Sequence, residues 1–292
     1  MLDEVGAGHV ARIQGLLDVV EAHDGHEALG EHKWLDLANG PGTDFVALLV
    51  HGDDRLVGYA HLSRHGAHRR WGLELVVDPR HRGSEIEAAL ARRALAVSAE
   101  RGGGPLHLVV FKPTEVHDEL AAELGLTRER DLLHMRVPLP IDAELRLPEG
   151  YTLRTFEPGR DEDTWLEVNN LAFAEHPEQG EWDRATLERH MRLDWFDPDG
   201  FLLAFASDEL VGFNWMKPNR DTSEGEIHVI GVDPSQQGAG LGRSLAIAGL
   251  RWAADQGLST GTLYTDNEAA AEMYRSLGFE VDHVDRAYVT DV

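Results

Sequence analysis

The residues best suited to chemistry in this 292-residue chain fall between Gly225 and Tyr274. Gly225-Glu-Ile-His-Val-Ile-Gly-Val-Asp-Pro234 reads as a buried strand broken at Asp233-Pro234, and Ser235-Gln-Gln-Gly-Ala-Gly-Leu-Gly-Arg-Ser-Leu245 as a glycine-rich loop entering a helix. Glycines at 238, 240 and 242 leave backbone N–H groups uncovered where that helix begins. Orphan amides and the helix dipole both favour negative charge there, so a diphosphate is the natural occupant. Upstream, Glu226 offers a carboxylate that can point inward from the strand. Downstream, Asn267 and Tyr274 stand where a second helix is predicted to start. Cradle, carboxylate and phenol together describe an enzyme that binds a nucleotide-like cofactor and moves a small group.

Composition narrows the partners. A net charge of −25 argues against a nucleic-acid partner, because phosphate backbones are bound by an excess of lysine and arginine. An anionic cofactor must then be held by local amide dipoles and a few cations, against the field of the whole molecule. The chain has no cysteine, which excludes a disulfide framework, a thiolate nucleophile and a cysteine metal site. The small group is therefore expected to pass directly between bound substrates, without a cysteine-bound intermediate. None of the 16 histidines has metal-ligand spacing, so no metal is expected, and His190 and His228 read as surface or strand-face residues. The tryptophans at 165, 182, 195, 215 and 252 read as pocket wall or core. No apolar run reaches the roughly 20 residues of a membrane helix, and the first residues lack a basic-then-apolar signal segment. A cytoplasmic monomer with no membrane partner is the expectation.

The elements that must position these residues occur twice. Asp44–Val50 and Arg55–Leu62 read as a strand pair, answered by Gly200–Ala206 and Glu209–Trp215. Leu73–Pro79 is answered by Ile227–Pro234, the helix Ile86–Val97 by Leu241 to about Gln256, and the strand Leu106–Phe111 by Thr260–Thr265. A short helix ending near Gly125 matches one ending near Gly278. The order strands, helix, strand, helix, strand predicts an α/β fold of two tandem domains, each a mixed, mostly antiparallel sheet flanked by helices. Pro138–Pro148 interrupts the periodicity. The expected division is a first domain over 1–137, a linker over 138–149 and a catalytic domain over 150–292. The halves are unequally equipped: after Asp78-Pro79 the loop is Arg80-His-Arg-Gly-Ser-Glu-Ile86, with Glu85 standing where the second half has Gly240, and Thr114–Leu120 holds no tyrosine.

Val232-Asp-Pro234 with Gln236–Gly242, and Asn267-x-x-Ala270-x-x-x-Tyr274-x-x-x-Gly278-Phe279, resemble the acetyl-CoA motifs of the GCN5-related N-acetyltransferases (GNAT). Asn169-Asn-x-Ala-Phe173, His176-Pro-Glu-Gln-Gly180, Trp195–Gly200 and Gly212-Phe-Asn-Trp-Met-Lys217 narrow the resemblance to the tandem mycothiol synthases. Those enzymes acetylate the cysteinyl amine of desacetylmycothiol, the last step of mycothiol biosynthesis. The resemblance implies acetyl-CoA as co-substrate and a bulge in the fourth strand that opens a cleft for pantetheine. It implies pairing of pantetheine with Ile230, Gly231 and Val232, and of the diphosphate with Gln237, Gly238, Ala239, Gly240, Leu241, Gly242 and Arg243. Asn267, Ala269 and Ala270 would touch the CoA arm; Glu226 is implied as base and Tyr274 as acid. Glu178, Lys217 and Glu226 would meet the acceptor, with Glu31 from the first half; Leu75, Val76 and Val77 match a second, non-catalytic acetyl-CoA site. Where the family has a tyrosine some five residues before the asparagine, this chain has Thr262, with Tyr264 beside it; either is a candidate to face the acceptor. Two rival readings remain: acetylation of another amine, and a non-catalytic acyl-CoA sensor.

Overall fold

Runs such as Phe45-Val-Ala-Leu-Leu-Val50 favour strands because branched and aromatic side chains pack well on a pleated surface. A computed structural model of the chain describes residues 7–39, 45–65, 70–83, 85–174 and 182–292. In chain order the elements are α1 (Ala7–Asp24), α2 (Glu31–Asn39), β1 (Phe45–His51), β2 (Leu56–His65), β3 (Arg70–Val77), α3 (Glu85–Glu100), β4 (Pro105–Val110), α4 (Glu115–Glu123) and β5 (Thr127–Pro138). They continue as β6 (Tyr151–Thr155), α5 (Glu162–Ala172), α6 (Arg184–His190), β7 (Phe201–Ala206), β8 (Glu209–Asn219), β9 (Glu224–Val232), α7 (Leu241–Asp255), β10 (Thr260–Thr265), α8 (Glu268–Arg275) and β11 (Glu280–Asp291).

One compact unit runs to Asp131 and takes in Val284–Val292. Its strand order is β1-β2-β3-β4-β11: antiparallel through β3, parallel between β3 and β4, and antiparallel where Arg286–Asp291 lies along Val110–Pro105. Leu90, Ala94 and Val97 of α3 cover one face with Leu62, Leu73 and Leu106, while Ile13, Leu16 and Leu17 of α1 cover the other with Phe45 and Tyr59. Tyr288 of β11 is fully part of this core, and Arg286 beside it pairs with Asp118 and Asp131.

The other unit spans Leu132–His283, with strand order β5-β10-β9-β8-β7-β6. Here Leu133–Pro138 of β5 runs antiparallel to β10, which is parallel to β9, and the remaining pairs are antiparallel. On one face α7 packs Ala246, Leu250 and Ala253 against Met135, Met216, Ile227 and Leu263. On the other, Trp165 of α5 meets Phe201, Phe213 and Trp215 in an aromatic cluster.

Both units are therefore α/β with a mixed, mostly antiparallel sheet. The unit boundaries differ from the expected 137 and 150, because part of the last strand of each half, residues 132–138 of β5 and 284–291 of β11, falls in the other unit. Proline and polar residues mark where periodicity stops; they carry no information on which strand a segment will pair with. The stretch expected as a linker is itself packed in the second unit: Ile141, Ala143 and Leu145 rest on the α7 cluster, and Ser244 Oγ donates to the Arg146 carbonyl at 2.7 Å.

Candidate active site

The site begins with a defect in strand pairing. β8 and β9 lose register between Trp215 and Met216, where Trp215 faces Val229 but Met216 faces Ile227. His228 is the extra residue, and the bulge puts Ile227 and Ile230 against the α7 side while Val229 joins the aromatic cluster. β9 pairs with β10 only from Glu224↔Thr260 to Ile227↔Leu263. Beyond that point the two strands part, and Val229–Val232 run on with a ladder to β8 alone. A cleft in a sheet, with strand backbone along its wall, suits an extended amide-bearing chain. Gly231 is buried there because a Cβ would lie 2.9 Å from the Phe213 ring and 3.2 Å from Ala172.

The loop after β9 has the predicted form. Asp233 caps a turn of 3-10 helix at Pro234–Gln236, its side chain accepting from the Ser235 amide at 2.7 Å. Gly238 and Gly240 both have left-handed φ, 83° and 84°, in open space, so it is the backbone shape that calls for glycine. Gly240 caps α7 and has no side chain to cover the amides that follow. Gln237 to Gly240 are exposed, while Leu241 turns into the core and Gly242 and Arg243 are half-buried. A groove of about 940 Å³ opens beside the loop, its lining including Ala239, Gly240, Arg243, Ser276, Gly278 and Arg146. Its size suits the nucleotide end of a cofactor.

Across the sheet, register brings Lys217, Glu226, Thr262 and Arg136 into one row over β8, β9, β10 and β5. All lie on the face away from α7, since Met216, Ile227, Leu263 and Met135 occupy the other. Burial pushes the Glu226 carboxyl up, but a hydrogen bond with His228 and the charges of Lys217, His228 and His134 outweigh it and hold the group at about 2. Lys217 Nζ lies 5.6 Å from the Trp195 ring. Thr262 and Tyr264 both face this side: Thr262 is buried opposite Glu226, whereas Tyr264 is exposed beyond the splay and lies 4.7 Å from the His134 ring.

Asn267 caps α8, accepting from the Ala270 amide at 3.0 Å; Ala269 is exposed and Ala270 half-buried. Tyr274 is buried against Phe279, and burial alone raises its phenol above the ordinary range. Glu31 opens α2 in the first unit, and Glu178 lies outside the described residues.

The model of the Acetyltransferase (GNAT) family matches the chain twice, over residues 16–126 and 165–279. The chain belongs to the GNAT acetyltransferase family. Among its relatives, the mycothiol acetyltransferase of Acidimicrobium ferrooxidans is 42% identical over 94% of this chain and 91% of its own length. That of Streptomyces avermitilis is 40% identical over 99% of this chain and 94% of its own. A GNAT structure from Sphaerobacter thermophilus shares the fold with a TM-score of 0.73 at 22% identity, covering 97% of this chain and 93% of that one. A tandem GNAT protein from the clavulanic acid biosynthesis pathway does so with 0.71 at 17% identity, covering 97% and 94%.

The two GNAT units diverge at the loop. Asp78 and Asp233 share a backbone geometry (φ −49° and −46°, ψ 127° for both) and each accepts from the amide two residues on. The first unit then fills the positions that the second leaves open. The Gly83 amide donates to Glu87 at 3.4 Å, and Arg82 Nε donates to the Val77 carbonyl at 3.3 Å. Leu75, Val76 and Val77 do extend past the last β3–β4 pair at Glu74, so this GNAT unit retains the splay, but β2 and β3 pair without a bulge.

Sequence reasoning missed His134, Arg136 and Asp282 beside the GNAT cleft. Their signal was the alternation Leu133, His134, Met135, Arg136, Val137, a strand with one polar face. Its partner strand was not readable.

Proposed function

We propose that this GNAT enzyme transfers acetyl from acetyl-CoA to the cysteinyl amine of desacetylmycothiol, the last step of mycothiol biosynthesis. The observation that carries the mechanism is the parting of β9 from β10 just past Glu226, with a row of charged groups on one side and an uncapped helix start on the other. The amides of Gln237–Arg243 receive the diphosphate, Ile230–Val232 the pantetheine, and the groove by Arg146 and Arg243 the nucleotide end. Asn267, Ala269 and Ala270 border the CoA arm. A backbone N–H near Val232 polarises the thioester carbonyl. Glu226, held at about 2, stays ionised and anchors the acceptor ammonium; a carboxylate that acidic is a weak proton acceptor. Lys217, Tyr264 and Glu178 are assigned to the acceptor's hydroxyl groups. Tyr274, kept neutral by burial, returns a proton to the leaving CoA thiolate. Turnover is assigned to the second unit, because Glu87 and Arg82 occupy the matching positions of the first.

The test is CoA release and product mass when the purified protein is given acetyl-CoA with desacetylmycothiol, a polyamine or a peptide N-terminus. Acetylation of desacetylmycothiol with the highest kcat/KM is expected. A higher kcat/KM for either rival amine would overturn the choice of acceptor.

A further inference from the structure

A carboxylate as acidic as Glu226 anchors an ammonium but leaves open where the proton goes once nitrogen has attacked. Three features of the row next to Glu226 answer this. On β5, His134 turns Nδ1 toward Asp282 Oδ2 at 3.3 Å, and His283 Nδ1 lies 2.7 Å from the same oxygen. The His134 ring packs at a tilt against Tyr264, at 4.7 Å, and His283, at 4.4 Å. Its side chain is 14% exposed, so the ring keeps some access to solvent.

Register places this imidazole. His134 faces Tyr264, two residues along from Thr262, which faces Glu226. With strands about 4.8 Å apart and about 3.4 Å per residue, the Cα atoms of His134 and Glu226 are about 12 Å apart. Both side chains rise from the same face, so the two groups border the same stretch of the splay.

We propose that His134, oriented by Asp282, is the general base of the acetyl transfer, while Glu226 serves as the charge anchor. This inference rests on the acetyltransferase reading of the site. The ammonium held by Glu226 first gives one proton to solvent; the neutral amine then attacks the thioester carbon, a C–N bond forms, and the carbonyl pair moves to oxygen. The proton on the now cationic nitrogen passes to His134 Nε2, directly or through one water. As the carbonyl re-forms, the C–S bond breaks and the thiolate takes the phenolic proton of Tyr274. A base near neutrality suits this step, and burial together with the charge of His283 lowers the His134 pKa, against the opposing pull of Asp282 and Glu226. Other groups at this place are Tyr264 on β10 and Arg136 on β5, the latter 3.6 Å from Asp282.

The experiment compares wild type with H134Q and H283Q under saturating acetyl-CoA, reading kcat across pH and rescue by added imidazole, which is tested on H134A. For H134Q we expect kcat to fall about 100-fold with the acetyl-CoA KM unchanged, the acid limb of the pH profile to disappear, and imidazole to restore turnover to H134A. H283Q, which removes one ring packed on His134 but leaves the base in place, should keep an acid limb and lose less kcat than H134Q. Wild-type kcat and an unchanged pH profile in H134Q, or equal losses in H134Q and H283Q with no imidazole rescue, would overturn the proposal. If wild type acetylates a different amine, only the choice of acceptor fails, and the dyad is tested with that amine.

Discussion

At the residue scale, the two groups singled out from the sequence occupy opposite electrostatic settings. Glu226 is partly exposed and surrounded by Lys217, His228 and His134, so it remains an anion. Tyr274 is buried, with no hydrogen bond to its hydroxyl among the described residues, so the neutral phenol is favoured. These settings separate their roles: a fixed charge holds a cation, and a neutral phenol donates. The absence of a partner for the Tyr274 hydroxyl makes a clean test. Removing it as Tyr274→Phe takes away no hydrogen bond and leaves the packing against Phe279 in place. We expect kcat to fall by about 10²-fold or more with Tm within about 2 °C of wild type. Steady-state assays and thermal melts check this; a loss of stability in proportion to activity would mean that the tyrosine is there for packing.

At the scale of elements, the cleft depends on how closely α7 sits on β8 and β9. Gly249 faces the sheet at the middle of that helix. A Cβ there would lie 2.3 Å from Asn214 Nδ2 and 2.5 Å from Met216 Sδ. Asn214 is fully buried and donates to the Leu245 carbonyl at 2.9 Å, so it has little freedom to move. In an open helix Gly→Ala stabilises by about 1 kcal/mol. Overpacking a core costs about 1–3 kcal/mol, so the sign should reverse for Gly249→Ala, with a net loss of about 1–2 kcal/mol by denaturant unfolding. Most elements were legible for local reasons. The strand Thr260–Thr265 falls where the pattern placed it, and α7 ends at Asp255 against a predicted Gln256. The bulge at His228 was not legible, since Ile227, Val229 and Gly231 alternate as a straight strand would; only Ile230 falling on the Ile227 side reveals it, and that is a fact of packing. The cradle could be read because left-handed turns leave a glycine signature, whereas His134 and Asp282 meet only through the pairing of distant strands.

At the scale of the whole molecule, duplication did not yield two separable halves. The second unit takes Leu133–Pro138 from the first half as the neighbour of β10, and with it Met135 and Val137, both buried in its core. The first unit takes Arg286–Asp291, with Tyr288, as the neighbour of β4. A fragment cut at the proline-rich stretch, 150–292, would therefore lack a core strand of the unit that holds the site. It would expose the edge of β10 and carry a terminal strand with no β4 to pair with. A fragment over 132–283 contains every strand of that unit. We expect it to melt cooperatively and to bind acetyl-CoA in a calorimetric titration, and we expect 150–292 to aggregate or melt without a transition. Cooperative folding of 150–292 with acetyl-CoA binding equal to that of the full chain would show that β5 is dispensable, and that the second half forms its own sheet without the exchanged strand.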